Sequence, residues 1–173
     1  MPDAGSASKS LLLNPQNIAR MTRLKDLQWL GRHLVWLEGR SDHNVLVVGS
    51  LERGWRRDLS RETGIGARVG YGGGDFGCGP DRVYFVSDRT LSSQTIDSAR
   101  SDVLRIFESS VAAPTPSSDG AWLLLLLAGE DRDRLALLPA NGGPPVFVLE
   151  ESDFIMQPCW HPNGRSFAWV EWD

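Results

Sequence analysis

Apolar residues fall along this chain in short runs separated by clusters of Gly, Pro, Asn, Asp and Ser, a pattern of strands and tight turns rather than of helices. From His33 the runs are clear: His33–Leu37 (HLVWL), Asn44–Val48 (NVLVV) and Trp55–Leu59 (WRRDL), joined by EGRSDH and GSLERG, predict a three-strand meander. Arg82–Ser87 (RVYFVS) follows a glycine-rich stretch, and LSSQTI and VLRIFES carry weaker strands on either side of a polar turn at Asp97–Asp102. Trp122–Ala128, Leu135–Leu138 and Val146–Leu149 form a third group. Within it Leu123–Leu127 do not alternate with polar residues, so both faces of that strand are expected to be buried. Before His33 the signal is divided. Ile18, Met21, Leu24 and Leu27 have helical spacing, whereas Met21–Trp29 also reads as an outer strand, and Met1–Ser10 is small and polar with no apolar period.

Gln157–Trp172 (QPCWHPNGRSFAWVEW) reads as strand, turn and strand: Pro158 and Pro162 restrict φ, Asn163 and Gly164 supply the positive-φ turn, and Ser166–Trp172 is β-branched and aromatic. Pro114–Leu127 (PTPSSDGAWLLLLL) repeats it at an offset of 44 residues, with Pro114 on Pro158 and Asp119-Gly120 on Asn163-Gly164. A period of that size belongs to the four-stranded blade of a propeller. The sequence therefore predicts an all-β fold, a partial β-propeller of four-stranded antiparallel blades, with about three blades and one further hairpin. Residues 1–30 form an N-terminal arm with a possible outer strand, and residues 31–173 an incomplete propeller whose blades begin near His33, Asp75, Ala113 and Met156. A generic β protein with ordinary hairpins is the plainer alternative. An unfinished propeller leaves apolar blade edges uncovered, so self-association is expected as well.

Composition changes this picture little. Seven Trp and eighteen Gly suit short strands and tight turns, and a net charge of -4 with interleaved signs offers no basic stripe for nucleic acid. The longest apolar run, Ala121–Ala128, is short of the roughly 18 residues that span a bilayer, and the N-terminus has no secretory pattern, so no membrane partner and a cytoplasmic location are expected. Cys78 and Cys159 lie in apolar strand surroundings and read as two buried thiols.

The candidates for chemistry resolve into structure. Gly72–Gly77 satisfies GxGxxG, but a strand rather than a helix follows, so no pyrophosphate would meet a helix N-terminus. Gly72, Gly73 and Gly74 are read instead as a structural corner between blades. Glu130–Arg134 (EDRDR) reads as a solvated hairpin tip, since its charges neutralise one another and no calcium-loop pattern follows. His33, His43 and His161 are isolated and read as structural or surface residues. No GxSxG elbow occurs. No catalytic residue, metal site or cofactor is expected; the residues singled out are the glycine corner and the turn residues Asp119, Gly120, Asn163 and Gly164.

VWLEGR (Val35–Arg40), RDLS (Arg57–Ser60), RVGYGGGDF (Arg68–Phe76), SSDG (Ser117–Gly120) and DFIMQPCWHPNGRSFAWVEWD (Asp153–Asp173) together resemble the N-terminal propeller of prolyl-oligopeptidase-family serine peptidases, of the acylaminoacyl-peptidase-like branch. The likeness runs from about Leu34 to the last residue. It departs from the family at two turns, with Ser117 and Asn163 where Pro and Asp are usual, both of which keep turn chemistry. The resemblance implies a propeller that caps a C-terminal α/β-hydrolase domain and gates peptide access to its Ser, Asp and His. None of that domain is recognisable in these residues, so a peptide substrate is expected only in its company. The alternatives are a Tol-type or WD-type propeller acting as a protein-interaction module, or a truncated fragment without a role of its own.

Overall fold

The computed structural model describes residues 22–40, 42–60, 64–69 and 74–172. Among them the chain forms strands only, and the strands follow one another into sheets without crossing over. The first sheet is β1 (Arg23–Leu30), β2 (His33–Gly39), β3 (Asn44–Ser50) and β4 (Trp55–Asp58). The second is β5 (Phe76–Cys78), β6 (Arg82–Ser87), β7 (Thr90–Thr95) and β8 (Asp102–Ile106). The third is β9 (Ser110–Pro116), β10 (Trp122–Ala128), β11 (Asp133–Pro139) and β12 (Val146–Ser152), and β13 (Phe154–Trp160) with β14 (Phe167–Trp172) makes a two-stranded fourth. Every pairing between these strands is antiparallel and between neighbours in sequence, and one isolated parallel bridge joins Gly66 to Ser87. This is an arc of a β-propeller: three full blades and the first hairpin of a fourth.

The first blade has four strands rather than the three of the predicted meander, because β1 pairs with β2 from Arg23↔Gly39 to Leu30↔His33. The residues before 22 lie outside the described part, and with them most of the N-terminal arm.

Burial explains why the blades stack. Alternating side chains point to opposite faces of a blade, so each blade has a forward face that meets the next and a backward face that meets the one before. Val35, Leu37, Leu46 and Val48 of the first blade close on Phe76, Val83 and Phe85 of the second. The intervening Tyr84 and Val86, together with Leu91, turn the other way and close on Leu123, Leu125 and Leu127 of the third. Leu126, Ala112 and Leu135 then meet Ile155, Phe167 and Trp169 of the hairpin. The unbroken leucine run of β10 is thus shared between two interfaces, each leucine being at most 2 % exposed. At about 1.5–3 kcal/mol for each fully buried large aliphatic side chain, these interfaces are the main stabilising term.

The repeat is carried by its turns. Between β9 and β10, the Ser117 N–H donates to the Trp122 carbonyl (2.8 Å) and the Gly120 N–H to the Ser117 carbonyl (2.9 Å). Between β13 and β14, 44 residues on, His161 and Gly164 do the same with Ser166 and His161 at 2.8 and 2.9 Å. Gly120 and Gly164 have φ of +71° and +69°. Asp119 Oδ1 accepts from the Ala121 N–H at 3.0 Å, and Asn163 Oδ1 from the Arg165 N–H at 2.9 Å, so the two side chains hold the same position in the same turn.

Candidate functional site

The first strands of the blades, β1, β5, β9 and β13, contact one another in series and so line the axis of the arc. All four contribute to a cavity of about 460 Å³. Its wall has one unusual feature repeated in every blade. Asp26, Gly74, Ala113 and Gln157 have φ of +49°, +70°, +51° and +52°, and all four line the cavity. In β1, β9 and β13 this residue sits at a β-bulge, where the ladder register shifts. Three non-glycine residues in the left-handed region each cost roughly 1 kcal/mol or more, which the surrounding packing overcomes. The 44-residue repeat already aligned Ala113 with Gln157, but nothing in the sequence marks the backbone state they share.

Gly74, the described end of the glycine stretch, belongs to this wall. Gly72 and Gly73 lie outside the described residues. Gly74 packs its α-carbon against the third blade, where an added Cβ would lie 2.7–2.9 Å from Ala113, and the Ala113 N–H donates to the Gly74 carbonyl at 2.7 Å. At Gly77 an added Cβ would lie 1.9 Å from the Pro114 carbonyl oxygen. The GxGxxG spacing therefore marks two points where the inner strands of neighbouring blades touch backbone to backbone.

Two side chains missed by the sequence reading tie the inner strands together. Gln28 Nε2 donates to the Phe76 carbonyl (3.1 Å) while its Oε1 accepts from the Cys78 N–H (2.9 Å), which fixes β1 to β5. Trp160 Nε1 donates to the Thr115 carbonyl at 2.9 Å and fixes β13 to β9. Polar groups whose partners are backbone atoms of a distant strand leave no local pattern to find.

Two expectations need correction. The cysteines are not both buried: Cys78 is half-buried and Cys159 exposed, because Cys159 lies on the face of the hairpin turned away from the third blade. Burial pushes the Cys78 thiol up to about 12, so the thiol that lines the cavity is inert. Nor is EDRDR wholly a solvated tip. Glu130, Asp131 and Arg132 are exposed, but Asp133 is buried and its Oδ2 accepts from the Ile155 N–H at 3.2 Å, joining the third blade to the fourth.

The histidines are dispersed. His33 packs against Trp55 with centroids 5.5 Å apart, His43 Nδ1 lies 2.6 Å from Asp42 on the surface, and His161 Nδ1 accepts from the Asn163 N–H at 3.1 Å in its turn. Among the described residues no group of His, Cys, Asp and Glu could hold a metal ion, and no helix is long and apolar enough to cross a membrane. The cavity offers shape, backbone polarity and the polar side chains of Asp26, Gln28, Thr115 and Gln157.

No family model and no curated protein matches the sequence. Solved structures do. The chain superposes on a puromycin-hydrolyzing peptidase of Mycobacterium tuberculosis with a TM-score of 0.71 and 21 % identity, over 90 % of this chain and 28 % of that one. It matches TolB from Acinetobacter baumannii at 0.67 and 10 % identity, over 86 % and 38 % of the two chains. With a prolyl endopeptidase the TM-score is 0.63 at 12 % identity, over 88 % and 26 %. At these identities the likeness establishes the fold, and this chain spans less than two fifths of the length of each of the three.

Proposed function

We propose that this chain is the amino-terminal arc of the propeller of a prolyl-oligopeptidase-like serine peptidase, a module that gates peptide access and has no catalytic residues of its own. The observation that carries this reading is the location of the family-like motif GYGGGDF. Of GYGGGDF and the residues just after it, Gly74, Phe76, Gly77 and Cys78 all line the axial cavity, on the strand that also sets the spacing to the third blade. A gate needs a wall of fixed diameter. Close backbone contacts, the Gln28 and Trp160 bridges and an inert thiol provide one.

The likeness to TolB favours a second reading, a propeller that serves as an interaction platform without any hydrolase. The two separate in the source cell. On the peptidase reading, an antibody to this chain detects a product larger than 19.1 kDa that a fluorophosphonate probe labels. A product of 19.1 kDa that the probe leaves unlabelled overturns it. The purified chain itself is expected to hydrolyse no peptide, ester or acylamino acid, since its sequence holds no GxSxG elbow to present an activated nucleophile. Turnover that survives repurification and is abolished by a serine-directed inhibitor would contradict this.

A further inference from the structure

The connections between blades differ in length. Residues 107–109 join β8 to β9 and residue 153 alone joins β12 to β13, whereas β4 and β5 are joined by residues 59–75. The strand that this long connection enters is the shortest of the inner ones, three residues in β5 against seven or eight in β1, β9 and β13. Residues 64–67 of the connection continue the edge of β6 that β5 leaves open. The Gly66 N–H donates to the Val86 carbonyl at 3.0 Å and the Asp88 N–H to the Gly66 carbonyl at 3.1 Å, which makes the parallel bridge to Ser87. The flanking residues reach in both directions. Ile65, 2 % exposed, lies in the apolar cluster between the first two blades, and its carbonyl accepts from Asn44 Nδ2 at 2.8 Å. Ser87 Oγ donates to the Gly64 carbonyl at 2.8 Å. Ala67 packs against the clusters on both faces of the third blade. One short segment therefore touches the first three blades.

Its far end is fastened at a junction. Three acceptors on two consecutive residues take N–H groups from three parts of the molecule: the Gly74 carbonyl from Ala113 of the third blade at 2.7 Å, the Asp75 carbonyl from Val86 of the second at 3.0 Å, and Asp75 Oδ1 from Ala67 at 2.7 Å. Asp75 is 7 % exposed. Burial pushes its carboxyl above the usual range, the bond from Ala67 opposes this, and Asp26 and Lys25 of β1 act with opposite signs. A carboxylate is costly to bury unless its acceptors are used.

We propose that residues 64–67 are a strap that locks the first three blades at one angle, and that Asp75 is the positioning residue that holds the strap shut. Gly74 and Ala113 both line the axial cavity, so the strap also fixes the cavity's width on that side. The aspartate of GYGGGDF thereby has a role separate from that of the glycines. Every contact in the proposal lies among the described residues, and none depends on the peptidase reading, so either can fail alone.

Amide hydrogen exchange tests the strap at the four donors that it and its junction engage: Gly66, Ala67, Asp88 and Ala113. Asp75→Ala is expected to lower protection at all four by about tenfold or more, the scale of one bond to a charged acceptor, and to leave the β10 amides within about twofold. Asp75→Asn keeps an acceptor oxygen and should restore most of the protection. A loss confined to Ala67 overturns the proposal, because the bond would then hold nothing beyond itself. An equal loss in β10 overturns it as well, as does an Asp75→Asn variant that exchanges as fast as Asp75→Ala. Should Asp75→Ala fail to fold, Ser87→Ala leaves Asp75 in place and removes only the bond to the Gly64 carbonyl. Ala67 and Ala113 should then lose protection by about threefold or more, and unchanged exchange at Ala113 overturns the proposal.

Discussion

Gly31, Gly74 and Gly77 are glycine for different reasons, and substitution can tell the first from the other two. Gly31 has a φ of +59° with open space where a Cβ would go, so Gly31→Ala should cost only the left-handed penalty, about 1–2 kcal/mol. Gly74 adds to a φ of +70° a set of contacts at 2.7–2.9 Å, and Gly77 trades φ strain for a carbonyl oxygen at 1.9 Å. Both should exceed Gly31→Ala by roughly 1–3 kcal/mol, the range for overpacking a filled site. Denaturant midpoints for the three variants would check the order; equal losses would mean the blades can separate without cost. At Cys78 the prediction is kinetic. With its thiol pushed up to about 12 by burial, the thiolate fraction at pH 8 is negligible, and alkylation should await unfolding. Mass spectrometry after brief native labelling would report it. Asp119 is held below the usual carboxylate range by its bonds from Ser117 and the Ala121 N–H. Its contribution is present above the unfolded-state value and is lost as pH falls through the lowered one. Asp119→Asn should flatten the acid limb of the stability profile below pH 3.8.

Among the elements, β10 bears the clearest test of a two-sided blade. Leu125 faces the second blade and Leu126 faces the hairpin, each at most 2 % exposed. Leu125→Ala and Leu126→Ala should therefore each cost about 2–5 kcal/mol in thermal or urea unfolding. A strand with one wet face would lose that much at only one of them. This strand was legible in the sequence because an unbroken apolar run has only one explanation at that length. The hairpins were legible too, since turn chemistry is local and Asp119 and Asn163 do the same job 44 residues apart. By contrast, β1 was obscured by its own bulge. Asp26 takes a left-handed φ and shifts the register between Lys25 and Gln28, so Leu24 and Leu27 end up three residues apart, which imitates a helix. The cavity wall was not legible at all. It is built by strands far apart in sequence, largely from backbone, and the exposure of Cys159 depends on which face of the hairpin it occupies rather than on its neighbours in sequence.

For the whole molecule, stability should fall off toward the end of the arc. The second and third blades are covered on both faces, whereas the hairpin has two strands and one covered face. In a stack where each unit touches only its neighbours, the end unit opens first. Hydrogen exchange should find the β6 and β10 amides slowest and those of β13–β14 fastest, and uniform protection would contradict the stacked-unit description. The strictly sequential strand order has a further consequence, at the ribosome. Each strand pairs only with strands adjacent to it in the chain, so a blade is complete as soon as its last strand emerges. It then waits with one apolar face bare until the next blade is synthesised to cover it. During translation the growing end of this chain always displays the kind of surface that chaperones bind, and by chain length the first blade waits longest, since β4 ends at Asp58 and β5 starts only at Phe76, whereas β13 follows the third blade at once.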